Sequence, residues 1–176
     1  LEIHPLVTSG FNADFDGDTM AVFLPVTPKA QKEATKMFPS NNLFSPSTGV
    51  VQYTPGHEAL LGLYLASKPG EKTAHKFKTR KDASSAYRRG KIKYTDIIKV
   101  GGYETTVGRL DIEAVLPPEL RETGKKPVAS MRVFTKKETR RVLTTVAKKY
   151  DKVYGEVTNR FKDIGNAHST NLGYSV

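Results

Sequence analysis

Apolar positions near the start of the chain come in short stretches on either side of a polar turn. LEIHPLV and MAVFLPV flank NADFDGDT, a pattern that predicts a strand, a loop and a second strand over residues 1–26. Beyond them, apolar residues spaced by three and four positions predict a helix that begins at Pro28, with Thr27 as its N-cap. Pro39 is expected to stop this helix.

The middle of the chain predicts alternating short elements. VVQYT (50–54) is typical of a strand, and PGHEALLGLYLAS of a helix that buries one side, made of Ala59, Leu60, Leu63 and Tyr64. The polar, basic residues 68–81 predict a surface connection or hairpin. A capped helix ending at Gly90, a strand with Ile97 and Ile98 in the core, and a further strand and short helix in TTVGRLDIEAVLP are expected to follow.

The last third of the sequence predicts two helices that form a hairpin. Thr135 is a candidate N-cap for the first, with Glu138 as its capping-box partner, and VYGEVTNRFKDIG carries the second. The fold class is therefore α+β. A change in composition places a domain boundary near residues 50–55, which separates residues 1–52 from residues 53–176.

Composition limits the classes of function. The 176 residues include 28 Lys plus Arg against 18 Asp plus Glu, and this net charge of +10 favours polyanionic partners. The absence of cysteine excludes disulfides and Cys-ligated metal, and favours a reducing compartment such as the cytoplasm. No apolar run is long enough to predict a membrane span. The chain begins without methionine, which suggests a piece of a longer protein.

Three acids stand in five residues of this basic chain: Asp14, Asp16 and Asp18. On an extended strand they would spread over about 13 Å, too far to share one ion, so a curled loop is required. Gly17 permits the positive φ of such a curl, and Phe15 is expected to turn inward as an anchor. Carboxylates brought together repel each other and need a cation or raised pKa values.

Hard oxygen ligands in a chain without cysteine favour Mg²⁺. One ion can activate a hydroxyl nucleophile, and a second can stabilise a departing pyrophosphate. A solvated acidic hairpin tip is the alternative. An EF-hand loop from Asp14 would need Gly at its sixth position and Glu at its twelfth, where Thr19 and Pro25 stand. A haloacid-dehalogenase type of phosphatase is disfavoured because Asp18 replaces the threonine of its motif.

The stretch NADFDGD at residues 12–18 resembles the signature of the largest, beta-prime type catalytic subunit of multisubunit DNA-directed RNA polymerases. The stretches NNLFSPSTG, ALLGLYLAS, ETTVGRL and FTKKETRRVL resemble that family in the same order, although residues 116–132 and 167–176 follow it less closely. The resemblance implies that Asp14, Asp16 and Asp18 hold the catalytic Mg²⁺ and that Asn12 contacts the nucleotide ribose.

The resemblance also implies an architecture and partners. Residues 1–52 would form the C-terminal part of a double-psi β-barrel, and residues 53–176 the pore region beside the secondary channel. The chain would be active only with other polymerase segments and a beta-type subunit, on a DNA template with RNA and nucleoside triphosphates, in bacterial or phage-infected cytoplasm. A split subunit and a cut fragment fit equally. The alternative function is a non-catalytic, basic module that binds nucleic acid or another subunit.

The histidines are not predicted to bind metal. His4, just before the loop, is expected to be a packed strand residue, and His57, His75 and His168 have no partner at metal-ligand spacing, which favours surface or helix-cap roles. The basic run at 72–93, with Phe77 inside it, predicts contact with nucleic acid, another subunit or solvent alone. Gly108 and Arg109 predict a structural turn and an ion pair.

Overall fold

The computed structural model describes residues 2–123, 126–127 and 132–171, and confirms the mixed α+β class. Helices are 3-10 turns at Pro5–Val7 and Pro39–Asn41, and α1 (Thr8–Phe11), α2 (Pro28–Lys36), α3 (His57–Ser67), α4 (Arg80–Arg88), α5 (Val107–Val115), α6 (Pro118–Arg121), α7 (Lys136–Lys149) and α8 (Asp151–Asn171). Strands are β1 (Lys72–Phe77), β2 (Ile97–Val100), β3 (Tyr103–Thr105), β4 (Glu122–Thr123) and β5 (Lys126–Pro127).

Helix α3 lies at the centre of the main core and crosses α8 at very short range. A Cβ atom built on Gly62 would lie 1.8 Å from the carbonyl oxygen of Gly165, and one built on Gly165 would lie 2.1 Å from the carbonyl oxygen of Ala59. Both contacts are with backbone, which cannot move aside cheaply. Glycine at these two positions therefore sets the distance between α3 and α8.

Apolar side chains fill the space around this crossing. Leu63 of α3 is fully buried in one cluster with Leu143 and Val146 of α7 and Phe161 of α8. The rings of Phe134 and Phe161 meet edge to face, with centroids 5.9 Å apart. The predicted hairpin of α7 and α8 is confirmed, and both helices pack on α3.

A second, smaller core lies under a three-stranded sheet in the order β1-β2-β3. Strand β1 pairs with β2 in parallel and β2 pairs with β3 antiparallel. Helix α4 connects β1 to β2 and buries Ala83 and Ala86 against Ile98 and Val107. The positive φ of Gly90, 69°, follows the predicted end of this helix, whereas its capping box at Thr79 and Asp82 starts it earlier than the predicted DASSAYRRG.

Two of the sequence-based assignments are wrong in the structure. Among the described residues of 1–26 there is no strand: the first stretch forms a 3-10 turn and α1, and the second forms neither a helix nor a ladder with any described residue. Apolar alternation alone cannot form a strand, because a strand also needs a neighbour for its N–H and C=O groups. Conversely, residues 68–81, expected to be a surface connection or hairpin, contain strand β1. This charged strand pairs in parallel with β2.

The ends of the last two helices also differ in detail from the prediction. Thr135 caps α7 as expected, but the Glu138 side chain binds Arg132 and Arg141 instead of closing a capping box. The hydrogen bond from Arg141 lowers the pKa of Glu138. Helix α8 does not end at Gly165. The helix continues beyond this glycine, which packs against α3.

VVQYT contributes a single β-bridge, Phe44 with Val51, in place of the predicted strand. Parts of the two stretches that follow the family less closely, residues 124–125, 128–131 and 172–176, lie outside the described residues. In the described part of the chain, no helix combines the length and apolarity that crossing a membrane requires.

We expect Gly165→Ala to lower the free energy of unfolding by about 1–3 kcal/mol or more, because its methyl group would overlap the Ala59 carbonyl. Denaturant titration of the full chain measures this change. Gly155→Ala is the matched control on the same helix: a Cβ there meets nothing within 4 Å, so a gain of about 0.5–1 kcal/mol is expected. Equal effects of the two substitutions would contradict the close crossing.

Candidate metal centre

Two short helical turns lead the chain into the acidic loop. His4 caps the 3-10 turn by accepting the Leu6 N–H at Nδ1, at 3.2 Å, and Pro5 occupies the first position of that turn. Helix α1 then ends at Asn12, whose φ of 48° lies in the left-handed region that asparagine tolerates better than most residues. His4 is thus an exposed cap and not the packed strand residue expected from its neighbours.

The loop after Asn12 curls as the spacing of its acids requires. Gly17 has a φ of 117°, and the Asp14 backbone N–H donates to Oδ2 of Asp18 at 3.1 Å, which closes the curl. This hydrogen bond joins the first and last acids of the motif. The loop conformation is therefore held partly by the same carboxylate group that would bind an ion.

The curl brings all three predicted acids together. One carboxylate oxygen from each of Asp14, Asp16 and Asp18 lies within 4.8 Å of the others, and all three residues are exposed. In octahedral Mg²⁺ coordination at about 2.1 Å, opposite oxygens are roughly 4.2 Å apart. Adjacent oxygens of such an octahedron are roughly 3.0 Å apart, and among three ligands at most one pair can be opposite, so the carboxylates must draw closer together to share one ion. The donor set, three hard carboxylate oxygens open to solvent, fits Mg²⁺ with water or phosphate as further ligands.

Electrostatics of the loop agree with this fit. The pKa of the Asp14 carboxyl is raised, first by its hydrogen bond with the Asp16 side chain, then by desolvation and by the Asp16 charge. The neighbouring Asp16 carboxylate thus disfavours the negative charge of Asp14. A divalent cation removes this cost and supplies an attraction to every carboxylate.

Two neighbours of the acids are solvent-exposed. Phe15 is 75% exposed, so the prediction that it turns inward to anchor the loop is wrong for this chain. Backbone curvature at Gly17 and the Asp14–Asp18 hydrogen bond supply the constraint instead. Asn12 is also exposed, two residues before Asp14, and its amide group faces no steric barrier to a ligand from solvent.

The other sequence candidates serve packing. Gly108 lies inside α5, where an added Cβ would be 1.9 Å from the Ala66 carbonyl oxygen, so it permits close helix contact and not a turn. Arg109 donates from Nε to the Ser67 carbonyl at 2.8 Å, where an ion pair was expected. His168 is half-buried, with its ring 4.2 Å from that of Tyr94, and burial lowers its pKa.

The structure also shows a cavity that sequence reasoning missed. About 520 Å³ lies between the 3-10 turn before the loop and the first half of α8, lined by residues that include His4, Tyr53 and Tyr154. The Tyr154 hydroxyl donates to the Tyr53 carbonyl across this space. Asn159 Oδ1 is buried there and accepts no hydrogen bond from the described residues. About a hundred residues separate the two sides, so no local pattern signals the cavity.

Comparison with known proteins identifies the class. A profile of the family described as RNA polymerase Rpb1, domain 2, matches residues 1–39, which include the whole acidic loop. This match shows that the start of the chain is similar to a domain of an RNA polymerase large subunit.

Relatives define the family more closely and extend the similarity along the chain. The beta' subunit of DNA-directed RNA polymerase from Thermus thermophilus is 41% identical over 123 residues, which cover 68% of this chain and 8% of that protein. The beta' subunits of Fusobacterium nucleatum and Tropheryma whipplei are each 35% identical over 100% of this chain, corresponding to 14% and 15% of their own lengths. The chain belongs to the beta' family, and it spans less than a sixth of the length of these curated relatives.

We expect Mn²⁺, as a paramagnetic substitute for Mg²⁺, to broaden the amide NMR signals of residues 12–19 selectively in the full chain. Asp16→Asn should weaken this binding roughly tenfold or more, because a charged ligand is lost. Asp163→Asn removes an exposed acid on α8 and should leave binding unchanged. Broadening that is unaffected by Asp16→Asn, or that excess Mg²⁺ fails to reverse, would contradict the metal centre.

Proposed function

We propose that this chain supplies the Mg²⁺-binding loop of a DNA-directed RNA polymerase and takes part in nucleotidyl transfer from a nucleoside triphosphate to the RNA 3′ hydroxyl. The observation that carries the proposal is the convergence of the Asp14, Asp16 and Asp18 oxygens within 4.8 Å. This convergence occurs in a chain whose relatives are beta' subunits along its whole length.

Each residue of the loop has a distinct part in the proposed site. Asp14, Asp16 and Asp18 would bind the ion through one oxygen each. When bound, Mg²⁺ supplies Lewis-acid activation of the attacking hydroxyl and, with a second ion carried by the triphosphate, charge stabilisation at the departing pyrophosphate. The Asn12 amide would donate to and accept from ribose hydroxyls, since it carries both kinds of group.

Apolar side chains near the loop are exposed to solvent, and this exposure supports the proposal that residues 1–52 are one part of a larger domain. Val22, Phe23, Leu24 and Val26 are 76–85% exposed on a segment with no ladder partner among the described residues. A contiguous apolar surface of this kind marks an interaction site in a folded protein. We therefore propose that residues 1–52 are the C-terminal part of a double-psi β-barrel whose other strands come from outside this sequence.

The remaining assignments follow from this architecture. Residues 53–176 would form the pore region of the assembly. Its partners would be a beta-type subunit and further beta' segments, together with template DNA, transcript and nucleoside triphosphates. An assembly that works on DNA and nucleotides in bacteria, or in phage-infected bacteria, would act in the cytoplasm.

In the reconstituted polymerase, Asp16→Ala should reduce RNA extension roughly 100-fold or more, because the reacting centre loses several kcal/mol of electrostatic stabilisation. Primer-extension assays on a preformed template–RNA scaffold measure this rate, and scaffold binding should persist. Asp163→Ala is the control and should extend at the wild-type rate. Extension that survives substitution of all three loop acids would instead favour a non-catalytic binding module.

Asn12→Ala should lower the preference of the same assembly for ribonucleotides over 2′-deoxyribonucleotides by about 2- to 13-fold, the value of one neutral hydrogen bond. The loss should fall on kcat/KM for ribonucleotides, with little change for deoxyribonucleotides. An equal fall for both substrates would show that Asn12 positions the loop and does not sense the sugar.

A further inference from the structure

The positive charge of the chain is concentrated in one structural unit. Residues 72–100, here called the basic segment, contain ten lysines and arginines against two aspartates, so they hold eight of the ten net positive charges. Both aspartates accept hydrogen bonds from nearby residues: Asp82 closes the capping box of α4, and Asp96 accepts the Lys93 backbone N–H at 2.8 Å. The rest of the protein is nearly balanced in charge.

Most of these cations are available to a ligand. Lys72 pairs with Glu104, Arg80 with Glu113 and Lys93 with Glu71. The other seven are all exposed: Lys76, Lys78, Lys81, Arg88, Arg89, Lys91 and Lys99. Lys76 and Lys99 are register partners on adjacent strands, and Lys99 also has Glu104 as its register partner on β3.

A groove of about 460 Å³ lies between α4 and α5 at the centre of the basic segment. Helix α4 contributes Lys81 and Arg88, two turns apart, with Tyr87 beside them; the α5 wall includes Val107, Leu110 and the carboxylate of Asp111. Tyr87 is 39% exposed, and its ring rests against that of Tyr94, with centroids 5.3 Å apart. The groove therefore presents a supported aromatic ring and an apolar wall between exposed cations.

We propose that this groove binds single-stranded nucleic acid. Exposed cations suit the phosphates, and an exposed aromatic ring on an apolar wall suits an unstacked base, which is the combination used by proteins that bind single strands without sequence preference. A duplex would satisfy the cations but would leave Tyr87 and the apolar wall unused, because its bases are already stacked. An acidic protein segment would satisfy the charges, but its carboxylates, unlike the bases of a single strand, offer no aromatic ring to stack on Tyr87.

This inference does not depend on the metal centre. The basic segment and the acidic loop are separate in sequence and belong to different elements. Removal of the loop acids should therefore leave oligonucleotide binding intact, so failure of one proposal is distinguishable from failure of the other.

The test is binding of the full chain to fluorescent twelve-nucleotide single strands of RNA and DNA, with duplex DNA and a poly-glutamate peptide as comparisons. We expect Lys81→Ala with Arg88→Ala to reduce the slope of log affinity against log salt by about 1.4, the value for two phosphate contacts on a single strand. Lys148→Ala with Lys149→Ala, which removes two exposed charges at the end of α7, is the matched control and should leave the slope unchanged.

The aromatic contribution is tested separately. Tyr87→Ala should weaken single-strand binding by about 5- to 100-fold, whereas Tyr87→Phe keeps the ring and should bind like the wild type. Thermal unfolding of both variants separates loss of binding from loss of folding. Equal binding by the groove and control double variants would overturn the proposal, as would preferential binding of duplex or poly-glutamate with no effect of Tyr87→Ala.

Discussion

The fold depends on three contacts in which a glycine lets helix backbones touch. Gly62 and Gly165 bring α3 against α8, and Gly108 brings α5 against α3 at the Ala66 carbonyl. Side chains of any size would push these helices apart and open the apolar cluster around Leu63. Through these contacts α3 fixes the positions of both the helical hairpin and the small sheet.

The two candidate functional surfaces differ in how far the core supports them. The α4–α5 groove is held by it, because α5 packs directly on α3 and Arg80 reaches the buried Glu113 of α5 at 2.6 Å. The acidic loop stands outside it and keeps its curl through local constraints at Gly17 and Asp18. Its three carboxylates and the apolar residues that follow it are exposed, so the core gives the loop little support.

The sequence predicted correctly those helices that depend on residues close together in the chain, such as N-caps and regularly spaced apolar residues. Caps at Thr27 and Thr135 begin α2 and α7 as expected, and the 3.6-residue period located the two C-terminal helices. Strands were predicted less well, since β1 is polar and the apolar MAVFLPV pairs with no other described residues. Strand formation depends on a partner distant in sequence, which no local pattern reports.

For the candidate site, the sequence by itself determined the loop: the spacing of Asp14, Asp16 and Asp18 around Gly17 dictates a curl, and the curl brings the carboxylates together. Only the tertiary structure decided what Gly108, Gly165, Arg109 and Tyr87 do. Their roles arise from contacts with residues dozens of positions away, such as Arg109 with Ser67 or Gly165 with Ala59. Charge and backbone curvature act within a few residues, whereas close packing is defined only once the chain has folded.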